Sequence, residues 1–171
     1  ANDKLLGEKN IMDIKDLREA AKEFMLNTSN SVDLPTRVKV KASDVEKFLA
    51  VAKSNLASDS TNREYKVAVK KWERKQKTID LIGEYEELPP TAVISLQNDR
   101  GTSYELYCEV QNELAAAIRE LRDELCLEKF KISFTDLDMK IEAHQGYATA
   151  AKAVHPMRIS EAEPRSTGTG N

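Results

Sequence analysis

Glycine is scarce in this chain, at six of 171 residues. No glycine-rich loop of the kind that cradles phosphate occurs, and Gly101, near a strand-to-helix junction, reads as a turn. Histidine occurs only as His144 and His155. At helical pitch these sit roughly 16 Å apart along the axis, too far to share a metal. There is no His-x-x-x-His and no Cys-x-x-Cys, so metal and nucleophilic chemistry lack their usual carriers. Cys108 and Cys126 fall eighteen residues apart on one predicted helix, roughly 27 Å, well beyond the ~7 Å that a disulfide tolerates. Each reads as a half-buried small hydrophobe. Apolar runs such as Ala115–Ile118 fall far short of a membrane span. The opening Ala1-Asn2-Asp3-Lys4 has no signal-peptide character. Any anchor or export signal would lie outside this sequence, and composition alone favours the cytoplasm.

What is present is an ordinary globular mixture, 40% apolar and 32% charged, which argues against disorder. The length suits one domain. A net charge of −3 with both signs mixed gives no reason to expect nucleic acid as a partner. One segment departs from that balance. Residues 62–77 hold Arg63, Lys66, Lys70, Lys71, Arg74, Lys75 and Lys77 against Glu64 and Glu73. Glu84, Glu86 and Glu87 follow at once, a poor match to a helix C-terminus.

An extended piece at 3–7 turns through Gly7–Asn10. A helix is expected over 14–26, capped by Asp13, with Ile14, Leu17, Ala21, Phe24 and Met25 on one face. Ser43 and Glu46 make a capping box for a second helix over 44–57. A third spans 62–86 until Pro89-Pro90 closes the block. Residues 91–97 form the clearest strand, and 98–101 a turn. The best amphipathic pattern follows over 104–127, through Tyr107, Val110, Leu114, Ala117, Ile118, Leu121 and Leu125. Thr135 and Asp138 start a fifth helix that runs to Val154, and 157–162 is a final strand. The expected fold is a two-layer α+β domain over 1–164: a small mixed sheet with helices on one face, a helical insertion at about 32–90, and a disordered tail at 165–171. Strand 91–97, helix 104–127 and strand 157–162 make a β–α–β unit, and the first helix packs beside the fourth.

No catalytic, cofactor-binding or metal-binding residues are assigned. The junction 98–104 could offer backbone N–H groups and Arg100 to an anion. Its simpler reading is structural, an Asp99 turn with Thr102 or Ser103 capping the helix. Trp72, the single tryptophan, reads as a core or helix-helix contact that could also anchor a partner.

A more specific signal lies in the run Val93-Ile94-Ser95-Leu96-Gln97-Asn98-Asp99-Arg100-Gly101-Thr102-Ser103-Tyr104. With Val110–Leu114, Arg122–Leu125 and Arg158–Pro164, it resembles the periplasmic domain of ExbD/TolR-family transport proteins in the form found in Bacteroidetes. Asp3–Leu6 and helix 14–26 are similar to that family's opening hairpin and first helix. The match covers 80–100 residues in order; over 32–90 it is weak, and that block reads as an insertion. The resemblance implies a non-enzymatic periplasmic domain on a single-pass inner-membrane anchor, working as a homodimer with an ExbB/TolQ-like channel protein. Through a TonB/TolA-like protein it would pass proton motive force to outer-membrane transport. The family's proton-carrying aspartate would sit in that anchor, so no aspartate here inherits its role. Family members open with a strand before a turn like Asn2-Asp3; this chain starts at the turn, which would leave a sheet edge beside Leu5-Leu6 open to strand exchange. Gln97, Asn98, Arg100 and Trp72 are candidate partner or wall contacts. Two alternatives stay open: a peptidoglycan-binding domain, and a cytoplasmic adaptor that reaches acidic partners through the basic helix.

Overall fold

A computed structural model of the chain describes residues 5–7, 10–97 and 102–162. The expected turn at 98–101 and the tail at 165–171 lie outside them. The fold is α+β and predominantly helical, as expected. Among the described residues the strands form three separate two-stranded pairs in place of one mixed sheet. The chain divides into two compact units, residues 1–36, 89–121 and 157–171 in the first and 37–88 and 122–156 in the second.

The first unit opens with an antiparallel ribbon of β1 (Leu5–Gly7) and β2 (Asn10–Met12), with Gly7 opposite Asn10. Asp13 then caps α1 (Ile14–Leu26), its side chain accepting from the Lys15 amide. Asn27 ends α1 in the left-handed region at φ 49°, and its amide side chain closes on Ser31 from both directions. Glu23 accepts from the Ser29 amide and from the Ser29 and Thr28 hydroxyls, which hold its carboxyl down to about 2.

The β–α–β unit is present. β5 (Ile94–Gln97) and β6 (Ile159–Ala162) pair in parallel, Ile94 opposite Ile159 and Gln97 opposite Ala162. Both strands start later than the hydrophobic run predicts, because Ala92 closes a turn on the Pro89 carbonyl that Arg158 also engages. Their connection contains α4 (Tyr104–Phe130), of which 104–121 belong to the first unit. Ala21 of α1 packs with Val110, Leu114 and Ala117 of α4, and Ile94, Leu96 and Ile159 close over them. Met25, Ile118 and Leu121 extend the core. The α1 and α4 stripes thus face each other as their spacing predicts. Arg18 fastens the pair from outside, with a two-pronged contact to Glu113 (2.7 and 3.0 Å) and a third bond to Glu120 (2.9 Å).

The second unit is built on α2 (Ala42–Ser58), α3 (Arg63–Ile82) and α5 (Glu142–Val154), with an antiparallel ribbon of β3 (Val38–Val40) and β4 (Tyr85–Glu87). Neither strand is expected from sequence: 38–40 carries no strand signal, and 85–86 falls at the end of the expected third helix. Gly83 stops α3 at φ 79°, so Glu84, Glu86 and Glu87 leave the helix and the dipole conflict disappears. The Ser43–Glu46 capping box is not used. Lys41 is the N-cap residue without a side-chain cap, and Glu84, distant in sequence, accepts from the Ala42 amide at 3.1 Å. That bond, with Lys39 beside it, holds the Glu84 carboxyl below its usual range.

The fifth helix also starts later than its box predicts. Asp123 binds the Ser133 hydroxyl and both the amide and hydroxyl of Thr135, drawing residues 134–136 into a single 3-10 turn. Val40, Val45, Tyr85 and Val154 form the core of this unit. Cys126 is fully buried, not half-buried, and burial pushes its thiol up to about 11; Cys108 is partly exposed.

Candidate functional site

The α/β junction of the first unit carries the one described residue of the 97–100 group. Gln97 is the last residue of β5 and is exposed; Asn98 and Arg100 lie outside the described residues. Ser103 caps α4, its hydroxyl accepting from the Leu106 amide at 3.2 Å, which is the structural role expected at this junction.

Beyond the cap, α4 and β6 assemble a polar and aromatic group. The Tyr107 hydroxyl donates to Glu161 of β6 at 2.6 Å, and the Gln111 amide donates to the same oxygen at 3.0 Å. Glu161, as that acceptor, holds the Tyr107 phenol above its ordinary range. Tyr104 is 80% exposed and stacks on Tyr107 with ring centroids 6.3 Å apart. The helical spacing puts Tyr107 on the core stripe. Its ring lies only about 20° from Leu114 on the helix wheel, and its hydroxyl reaches out of that face in the first turn of α4 to Glu161 at the end of β6. The sequence signal that could have identified the group is the three-residue spacing of the two tyrosines, which stacks them on one helix flank.

Trp72 belongs to the second unit. Its ring stacks on Phe48 at 4.8 Å, with the Lys71 and Lys75 ammonium groups 5.2 and 5.4 Å from its centroid. It packs against the Val40–Val45 core, so helix-helix contact is the role the structure gives it.

The histidines are engaged separately. His144 Nδ1 accepts from the Asp138 amide at 3.0 Å. His155 caps α5 and is buried beside Arg37 and Arg122, and its Nδ1 has no hydrogen-bond partner. Burial, with those two cations second, pushes its pKa down to about 3, so it is neutral at physiological pH. Among the described residues no three His, Cys, Asp or Glu side chains gather as a metal site, and no helix is long and apolar enough to cross a membrane. Comparison with family models, curated proteins and solved structures finds no match to this chain.

Proposed function

We propose that this chain is the non-enzymatic, extracytoplasmic domain of an ExbD/TolR-type protein. It would sit on a single-pass inner-membrane anchor as a pair of copies, work with an ExbB/TolQ-like channel, and pass proton motive force to a TonB/TolA-like partner for outer-membrane transport. The observation that carries this reading is the parallel β5/β6 pair joined through α4, with α1 on the same α4 face. Most of the segments that resemble the family build that unit. Among the described residues β5 and β6 pair only with each other, which leaves an outer edge on each strand for a further strand. An added strand gains main-chain hydrogen bonds, and its alternate side chains select the partner.

A photo-cross-linker at exposed Ser160 of β6 tests this in cells. Adducts with a TonB/TolA-like or ExbB/TolQ-like protein are expected, and their absence would sink the reading. The codons ahead of Ala1 offer a second check: about twenty apolar residues with one aspartate are expected there, and a start codon directly before Ala1 would refute the anchor.

Exposed Tyr104 favours a second reading, peptidoglycan binding, since an aromatic face beside polar groups suits a saccharide. That reading expects the chain to co-sediment with isolated sacculi and to lose this on Tyr104→Ala or Arg100→Ala. Unchanged sedimentation of both variants would exclude it.

A further inference from the structure

The second unit carries a feature that the transport reading does not use. Arg63, Lys66, Lys70, Arg74 and Lys77 recur at three- and four-residue spacing, so they form one row along α3, roughly 21 Å long at 1.5 Å per residue. All five are exposed. Several other cations are paired, Arg18 and Lys22 with Glu120, Lys39 with Glu84, Lys53 with Glu73 and Lys75 with Glu87, while single ones such as Lys47, Arg119 and Lys140 stand apart from one another without an ion pair to a described carboxylate. Among the described residues no carboxylate pairs with any member of the row. In a chain of net charge −3, an unanswered row of five cations concentrates positive potential on one helix face.

The C-terminal part of the row is not a flat surface. Lys70, Arg74 and Lys77 line a cleft of 880 Å³ between α3 and α5, together with Leu81, Gly146 and Tyr147. Leu81 is 41% exposed, and its Cδ1 lies only 3.4 Å from where a Cβ on Gly146 would stand. That is ordinary van der Waals distance, so Leu81 packs against α5 at this point. Carboxylates interrupt the positive charge, since Glu73, Asp80 and Glu142 also border the cleft. A continuous polyanion such as a nucleic-acid backbone would meet those carboxylates unfavourably. A protein segment would not, because its charges are discrete and it can place an apolar side chain on Leu81.

The geometry points to the α3 row and the α3/α5 cleft as a docking surface for an acidic segment of a partner protein, with carboxylates at helical spacing and one apolar anchor residue. This does not depend on the transport reading. It rests on α3 and α5 alone and holds on either side of the membrane.

Fluorescence anisotropy of the full chain with a labelled synthetic helix tests it, the helix carrying glutamates at the matching three-and-four spacing around a central leucine. Binding is expected to weaken with added salt. Lys70→Glu, Arg74→Glu and Lys77→Glu together should lower affinity about ten-fold or more. A dispersed set with the same charge change, Lys47→Glu, Arg119→Glu and Lys140→Glu, should leave it within about two-fold. Replacing the peptide's leucine by alanine should also weaken binding. Because charge reversal can disturb a helix, the neutralising set Lys70→Gln, Arg74→Gln and Lys77→Gln is read alongside and should show the same loss at smaller amplitude. Equal losses in the row and dispersed sets would overturn the proposal, since net charge would then be the whole attraction. Tighter binding of a single-stranded oligonucleotide of equal charge, or of phosphatidylglycerol vesicles, would overturn it equally.

Discussion

The first unit gathers Arg18 and Lys22 around Glu113 and Glu120, whereas the second keeps a row of five cations on α3 that no described carboxylate pairs. In the first, α1 and α4 bring broad apolar faces together. Small residues at Ala21 and Ala117 let the helices approach, and Arg18 and Lys22 answer Glu113 and Glu120 across them. In the second, α3 buries Val69 and Thr78, packs Trp72, Ile79 and Ile82 on the core, and turns Arg63, Lys66, Lys70, Arg74 and Lys77 to solvent. Cations find internal partners where a packed neighbouring helix presents carboxylates to them, as α4 does to α1, and those on a helix face that no such neighbour covers stay available to another molecule.

The largest expected effect lies in the first unit's core. Leu114 is 1% exposed at the centre of the α1–α4 contact, and Leu114→Ala is expected to cost about 2–5 kcal/mol. A urea titration checks it, and a loss below about 1 kcal/mol would mean that this face is not the unit's core.

The next effect belongs to the second unit and depends on pH. The folded pKa of His155 lies near 3, below the ordinary value of 6.5. As pH falls below about 6.5 the unfolded chain takes up a proton that the folded chain refuses, so stability is full above that pH and declines towards pH 3. The slope from this one group reaches at most about 1.4 kcal/mol per pH unit. His155→Phe should flatten the difference in urea midpoint between neutral and mildly acidic buffer, and parallel pH profiles for the variant and the parent would contradict the burial.

Smaller still is the start of α3. Asn62 accepts from the Glu64 and Tyr65 amides, and Asn62→Ala should cost about 1 kcal/mol by thermal unfolding. It should leave acidic-peptide binding intact, because Asn62 precedes the cation row. The last contrast is chemical. A thiol reagent at neutral pH should modify Cys108 in the folded protein and reach Cys126 only on unfolding, since Cys126 is buried and its thiol is held protonated. Equal labelling rates for the two would refute that burial.

Much of the fold was legible in sequence where local signals act alone. Asp13 capped α1 as its position predicts, and the stripe through Val110, Leu114, Ala117 and Leu121 lies in the core. The readings that failed were those settled by residues distant in sequence. The Ser43 box lost to Glu84, which reaches the start of α2 from the β4 end of the β3–β4 ribbon, and the Thr135 start lost to Asp123. Ribbon β3–β4 was missed because three-residue strands are too short for alternation to register. Of the candidate site, Gln97 could be placed on a strand from sequence. The meeting of Tyr107, Gln111 and Glu161 could not, because it depends on how α4 lies against β6.

The sequence by itself determined which segments become helices, which face of each is apolar, and that five cations share one line on α3. These follow from spacing along a single chain, where neighbours three or four residues apart must share a face. Only the tertiary structure decided which of those charges would be answered. Glu84, Glu86 and Glu87 turned back to Ala42, Arg37 and Lys75, and among the described residues no carboxylate forms an ion pair with the α3 row. Pairing between charges depends on distance through space, which the order of residues alone does not supply.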